Sequence, residues 1–577
     1  MTASDTGEKP IPIREDMKTP CAVMLLAFAT LFVGVSDHGL WTPDEPREAE
    51  LVRSMARPGA SRLYPDLAGK PFVQKPPLFY WMAALSLREL GSLLGEVGAT
   101  RAASAYCALL TALLIWAAAR RFMGPAGGTA STAALLTTVG FFHAGHWIIT
   151  DPALMLTVTA AVLLAFWGEE EDRPSLVLAA FACAGLSFLA KGLIGPALMV
   201  PPALAMTAIH RRTVSARRSL HLAGFVMAAL VMLAWAVPFI LNAPPEAWRT
   251  WFWDNQVGRF LGRTTELGHI RGPLYYVPIL PLMLMPWTPV LIGAIWACRR
   301  QEWLLDGPAR RLLLTAGAWA VGGMLLLTLA GTKRDIYLHP LLPAFALLIG
   351  TAAVAYQPRW VEIYLSVLGW LMASALLAAG FLQACWDGSG LEWGMRIQPW
   401  ALAAFGMTFW LLLGSRMPSF PKAVGITAVF YLGIVKTLVP QVDRAKDYEP
   451  ETRVILAALP AHAEEVTCAW DLDETSRGLL GYYGGLSLFD LHEEYANAER
   501  MAVLKDVLAG KRARCRFLVA MSKRYAFPPP GVDLDPEHVL ATGKLGGGRT
   551  LYLIDCTRRD ACKDHSVSNT GAIRNGE

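Results

Sequence analysis

From Cys21 to Pro440 the chain repeats one pattern: an apolar run, then a short loop carrying Arg, Lys, Gly or Pro. Runs of about 20 apolar residues are the length a helix needs to cross a bilayer. They fall near Cys21–Val35, Arg101–Ala119, Thr129–Ile149, Pro152–Trp167, Ser175–Ala190, Leu193–Ile209 and Leu220–Leu241. Others follow near Leu274–Ala297, Leu312–Ala330, Ile336–Tyr356, Val361–Leu382, Trp400–Leu413 and Pro421–Val439. Hydropathy thus predicts about 13 spans. Lys9, Arg14 and Lys18 precede the first run, but no small-residue cleavage site follows it before Trp41, so it reads as a retained span rather than a signal peptide.

Two segments break the pattern. Residues 41–78 form a long loop of Asp, Glu, Arg, Lys and Pro, and the next piece, Pro76–Leu90, is short and interrupted by Arg88-Glu89. With Phe79, Tyr80 and Trp81 at its start, it reads as a helix lying in the interface. After Pro440 the composition turns soluble. Val466–Trp470, Leu486–Leu491, Arg516–Met521 and Thr550–Ile554 read as strands, with helical stretches at Glu451–Leu459 and Glu494–Leu508 between them. The division expected is a membrane part, 1–440, and a small α/β domain, 441–577, whose tail is read as disordered.

Composition agrees: 54% of the 577 residues are hydrophobic and 17% charged, with a mean hydropathy of +0.37. One soluble core of that size could not hide so much apolar surface. The net charge of +5 sits largely in inter-span loops, which reads as orientation rather than a nucleic-acid patch. With the N-terminus inside, Arg120-Arg121, Arg211-Arg212, Arg217-Arg218, Arg299-Arg300, Arg310-Arg311, Arg359, Arg416 and Lys422 all fall on the cytoplasmic side. The acidic loop Glu169-Glu170-Glu171-Asp172-Arg173 gives that rule no help. An odd number of spans places the C-terminal domain outside. There Cys468, Cys515, Cys556 and Cys562 could pair in an oxidising compartment or remain buried thiols.

On the same outer side the polar residues cluster. Lys75, Lys191, Arg259, Arg271, Lys333 and Arg334 supply the cations that a lipid-linked phosphate would require. Asp44 and Asp151 supply carboxylates that could accept a proton from an acceptor hydroxyl while cations stabilise a departing phosphate. Any one of these charges alone is a solvated or snorkelling loop residue. The set points to glycosyl transfer from a phospholipid-like donor.

The strings that carry this chemistry are Asp44-Glu45-Pro46-Arg47, Lys75-Pro76-Pro77-Leu78-Phe79-Tyr80-Trp81, Thr150-Asp151-Pro152 and Leu189-Ala190-Lys191-Gly192, followed by Pro286-Trp287 and Thr332-Lys333-Arg334-Asp335-Ile336-Tyr337-Leu338. In order and in shared side, they resemble those of the lipid A aminoarabinose transferases (ArnT) and the protein O-mannosyltransferases, polyprenyl-phosphate-sugar-dependent enzymes of the GT-C fold. The resemblance covers most of the chain. It implies a polytopic α-helical protein of the inner membrane with its active site and a C-terminal α/β domain in the periplasm. It implies an undecaprenyl phosphate sugar as donor, and lipid A, another glycolipid or a protein as acceptor.

At the level of residues, the resemblance implies that Asp44, with Arg47 beside it, and Asp151 are catalytic. Lys75 and Tyr337 would contact the lipid phosphate, with Arg259, Arg271, Lys333 and Arg334 as further candidates. His269 resembles a metal-contacting histidine, so zinc is the cofactor to consider. Relatives usually carry Glu where this chain has Gln74, which removes a charge and a hard-metal ligand and argues against a metal. His143 and His146, one turn apart, read as polar residues at a helix end rather than as zinc ligands. Glu45, Glu48 and Glu50 are candidates for holding a sugar amine.

Other classes fit less well. A carrier would show internal repeats and helices broken at mid-membrane, and the sequence shows no repeat. A lipid-linked-saccharide ligase would also set outer-face Arg and Lys against lipid phosphate, but the Asp44 to Arg47 loop directly after the first span favours the transferase.

Overall fold

A computed structural model describes residues 18–263, 270–299, 307–355, 359–386, 399–460, 463–491, 497–523, 527–532 and 534–557. It is mostly helical, and contacts divide it into two compact units. The larger holds the described residues up to His38, Val52–Pro65 and Phe72–Arg444. The smaller holds Gly39–Leu51, Asp66–Pro71 and the described residues from Ala445 onward. The first outer loop, expected with the spans, is thus divided: its start, with Asp44 and Arg47, and the stretch Asp66–Pro71 group with the soluble part, and the rest stays with the membrane part.

In the larger unit, eight helices among the described residues are long and apolar enough to cross a membrane, nine if the bent pair Pro273–Met283 and Thr288–Trp296 is one span. Cys21–Leu31, Ile194–Ile209 and Ala401–Leu413 are shorter apolar helices beside them. The chain is a multi-pass membrane protein. The helix Leu78–Leu136 joins three expected pieces, but its backbone breaks at Gly95 (φ 72°) and Gly124 (φ 80°), conformations that only glycine adopts without strain. Gly95 separates the expected interfacial stretch from the span beginning at Arg101, and Gly124-Pro125 ends that span. Asp151–Glu170 and Asp335–Val354 are largely buried by their neighbours, whereas Arg218–Asn242 exposes Leu222, Phe225, Leu230, Leu233 and Leu241, as a lipid-facing helix does.

Several charges inside this unit are paired. Arg101, fully buried, donates to the carbonyls of Val35 and His38 and so closes the end of the first span. The acidic loop finds its partners among the Arg-rich ends: Arg121 Nε lies 2.5 Å from Glu171, Arg311 Nε 2.9 Å from Glu170 and His221 3.1 Å from Glu169, while Arg217 meets Asp172. Its charge is neutralised locally, which is why it does not disturb the basic pattern of that end.

The smaller unit contains a short hairpin, β1 (Asp66–Leu67) and β2 (Lys70–Pro71), and a five-stranded sheet. The sheet is built from β3 (Thr467–Trp470), β4 (Phe489–Asp490), β5 (Phe517–Ser522), β6 (Val539–Leu545) and β7 (Arg549–Asp555), in the order β4-β3-β5-β7-β6. The first three are parallel, and β7 and β6 run antiparallel to their neighbours. The helices Glu449–Ala457, Glu474–Gly484 and Asn497–Leu508 complete the α/β domain. Strand β6 and the helix Glu474–Gly484 were not expected from the sequence. A disulfide joins Cys468 to Cys515, with Cα atoms 5.3 Å apart; Cys556 is a buried free thiol, and Cys562 lies outside the described residues.

Candidate functional site

Most of the expected site residues fall into two clusters, one in each unit. In the membrane unit, Asp151 opens the helix Asp151–Glu170 and Lys191 closes the helix Pro174–Lys191. Their positions suit both helix dipoles, the carboxylate at an N-terminus and the ammonium at a C-terminus. Lys191 Nζ donates to Asp151 Oδ1 over 2.5 Å and stands 4.4 Å from the centre of the Tyr337 ring, a cation–π contact. Arg259 and Arg334 lie near enough to act electrostatically on Lys191. Lys191, Arg259 and Arg334 thus bring three cations together beside the Asp151 carboxylate.

Arg259 is placed by an unusual element. Residues Thr250–Gly258 form a π-helix, anchored by buried Trp251 against Phe188 and Trp235, and Arg259 follows it directly. Arg259 Nη2 donates to Gln74 Oε1 over 2.9 Å, which brings the segment carrying Lys75 to the same cluster. Gln256 accepts the Leu193 N–H (3.0 Å), and Gly192, at φ +76°, leaves no room for a side chain there because Gln256 occupies the space. Gln256 belongs to the polar string Asn255–Arg259, but only the fold reveals its contact with the turn after Lys191.

Other candidates are placed differently. Lys333, buried, donates to the carbonyls of Ala330 (2.5 Å) and Arg271 (3.2 Å), and burial pushes its ammonium pKa down. That is the placement of a residue closing a backbone turn. Arg271 is exposed, its carbonyl taken by Lys333. His146 sets its two ring nitrogens against the carbonyls of Phe142 and Val33, whereas His143 faces His339 (3.3 Å), so the two do not converge. His269 lies outside the described residues. Among the described residues, no group of three His, Cys, Asp or Glu could hold a metal ion, and the Gln74 oxygen is engaged by Arg259. Those residues do not fit a metal site.

In the soluble unit, Arg47 gathers three carboxylates. Its Nη1 lies 2.5 Å from Glu474, and its Nη2 lies 2.7 Å from Glu48 and 3.0 Å from Asp44. Burial works to lower the Arg47 pKa, but Glu48, Glu474 and Asp44 raise it well above its ordinary value, so it remains a cation. Glu45 accepts the Trp41 N–H (2.9 Å), tying the start of the helix Glu45–Ala56 to the residues before it. Neither Glu45 nor Glu48 stands as a lone anion awaiting an amine. Glu474, 427 positions from Arg47, carried no signal in the sequence.

Residues 74–235 match the family described as dolichyl-phosphate-mannose-protein mannosyltransferase. The undecaprenyl phosphate-alpha-4-amino-4-deoxy-L-arabinose arabinosyl transferase of Pseudomonas aeruginosa is 28% identical over 440 residues, 70% of this chain and 76% of that protein. Its counterpart in Edwardsiella ictaluri is 31% identical over 325 residues, 54% of this chain and 55% of that one. Among solved structures, ArnT from Cupriavidus metallidurans bound to undecaprenyl phosphate superposes with a TM-score of 0.72 at 22% identity, covering 92% of this chain and 97% of that one.

Proposed function

We propose that this ArnT-like glycosyltransferase of the GT-C fold moves a single sugar from undecaprenyl phosphate to lipid A at the periplasmic face of the inner membrane. The observation that carries the proposal is the gathering of the cations Lys191, Arg259 and Arg334 with Asp151 and Tyr337 at one end of the helices. The phosphodiester of a lipid-linked sugar carries one negative charge and gains a second as the sugar leaves, a group that such a set neutralises, and Arg is the side chain best shaped to hold it. During transfer the bond between the sugar's anomeric carbon and the donor phosphate breaks as an acceptor oxygen attacks. The negative charge then grows on the departing phosphate, where fixed cations stabilise it.

The resemblance of its loop gives Asp44 a part in the same reaction. Its carboxylate is engaged by Arg47, which suits a group that holds charge and orientation more than one that removes a proton. An acceptor phosphate, as on lipid A, is already ionised and asks for no general base. This favours lipid A over a hydroxyl acceptor.

The match of residues 74–235 to the protein mannosyltransferases supports a second reading, transfer to a protein hydroxyl. The test is transfer by the purified protein from undecaprenyl phosphate-linked aminoarabinose to lipid A, with polypeptide acceptors in parallel. Labelled lipid A supports the first reading; labelled polypeptide replaces it with the second.

A further inference from the structure

We infer that Glu474 is a positioning residue for the transfer: it pins one arm of the Arg47 guanidinium so that the other arm meets Asp44. This rests on the role given to Asp44 above. The helix Glu474–Gly484 follows β3, at the carboxyl end of the parallel strands. From β3 the chain leaves first to β4 on one side and later to β5 on the other. In open α/β sheets that reversal makes a crevice where ligands bind. Here the chain's own first loop occupies the start of that helix. Thr475 Oγ1 donates to the Pro43 carbonyl (3.0 Å), and a Cβ on Gly478 would stand 2.5 Å from the Pro46 carbonyl carbon. Only a glycine lets the backbone carrying Asp44 and Arg47 approach so closely.

The base of this arm is rigid. Asp473, the residue before Glu474, caps the helix by accepting the Ser476 N–H (2.9 Å). The same carboxylate accepts from Arg549 at the start of β7 (2.7 Å) and from Lys523 just past β5 (3.1 Å). Two strands therefore fix the backbone from which Glu474 reaches Arg47. At the other end of the guanidinium, Nη2 divides its donors between Glu48 and Asp44, the longer contact being to Asp44. Glu48 also takes Nε (3.2 Å), so when Glu474 no longer draws Nη1 the fork turns toward Glu48, and the longer contact to Asp44 is the one weakened. In this account the soluble domain sets the catalytic loop's geometry.

The experiment compares full-length wild type, Asp44→Asn, Glu474→Gln and Glu474→Ala in lipid nanodiscs. Transfer from undecaprenyl phosphate-linked aminoarabinose to lipid A is measured, and Arg47 modification by phenylglyoxal is followed by mass spectrometry. Glu474→Ala is expected to lower kcat about 10-fold with the donor KM unchanged, Gln falling between because it keeps an acceptor for Nη1. Arg47, protected in wild type, is expected to become reactive in the Ala variant while the Cys468–Cys515 disulfide stays formed. A wild-type kcat in Glu474→Ala beside an inactive Asp44→Asn overturns the inference alone. An active Asp44→Asn overturns the reading of Asp44 and the inference with it. If wild type transfers nothing from this donor, the labelling still decides: Arg47 equally protected in the Ala variant overturns the positioning role.

Discussion

Lys191 donates to Asp151 across 2.5 Å, joining the end of one membrane helix to the start of its neighbour, and only 1% of the Asp151 side chain is exposed. Removing one member of a buried pair leaves an uncompensated charge, at a cost of roughly 3–5 kcal/mol. Lys191→Met is therefore expected to unfold at markedly lower temperature and to lose transfer. The double variant Asp151→Asn, Lys191→Met is expected to regain stability without regaining transfer. Thermal unfolding and activity of the three proteins check this; activity in the double variant would remove the pair from the reaction.

Gln74 and Arg259 allow a second test. Gln74→Glu puts a carboxylate where a neutral oxygen now accepts from Arg259 at 2.9 Å, so Arg259 is drawn away from a phosphate. The donor KM is expected to rise about 5- to 10-fold with kcat nearly unchanged. Chelation is expected to leave the wild-type rate intact. A wild type that loses activity on chelation contradicts this.

The membrane architecture was legible because apolar runs of spanning length have one stable solution, the helix. Asp44, Arg47, Asp151 and Tyr337 stood out as polar residues beside such runs. What escaped the sequence depended on contacts between distant segments. Glu474 meets Arg47 from 427 positions away, and Gln256 reaches the turn at Gly192. Strand β6, Val539–Leu545, lies at the sheet edge with Leu540 turned outward and Gly543 buried, so its alternation is faint. Glycines at 478, 481 and 484 hid the helix Glu474–Gly484, although two of them serve close approach, Gly478 to Pro46 and Gly481 to Glu50. Lys333 looked like a phosphate contact until the fold turned it onto two carbonyls.

The Cys468–Cys515 bond closes a 47-residue separation and ties β3 to the residues before β5. Restricting an unfolded loop of that length is worth up to ~4 kcal/mol. Cys515→Ser is expected to make the soluble domain protease-sensitive under conditions where wild type resists, whereas Cys556→Ser is expected to have a smaller effect. Equal resistance of wild type and Cys515→Ser would show that the bond adds little.

Asp473 links stability to acid. Burial works to raise its pKa, but the Ser476 N–H, Arg549 and Lys523 lower it below its ordinary value of 3.8. A carboxylate depressed on folding stabilises the fold above its unfolded pKa, and that contribution disappears as pH falls through the folded one. Between about pH 5 and pH 3 wild type is expected to lose more stability than Asp473→Asn. Tryptophan fluorescence across that range, together with limited proteolysis of the domain, reads the difference; parallel curves would deny Asp473 this role.

Transfer of radiolabelled aminoarabinose from undecaprenyl phosphate to purified lipid A, with wild type and Asp44→Asn in nanodiscs side by side, decides the reaction. Label in lipid A with wild type, and none with an equally well-inserted Asp44→Asn, is the predicted result. Wild type that leaves both lipid A and polypeptide acceptors unlabelled while the donor stays intact would contradict it.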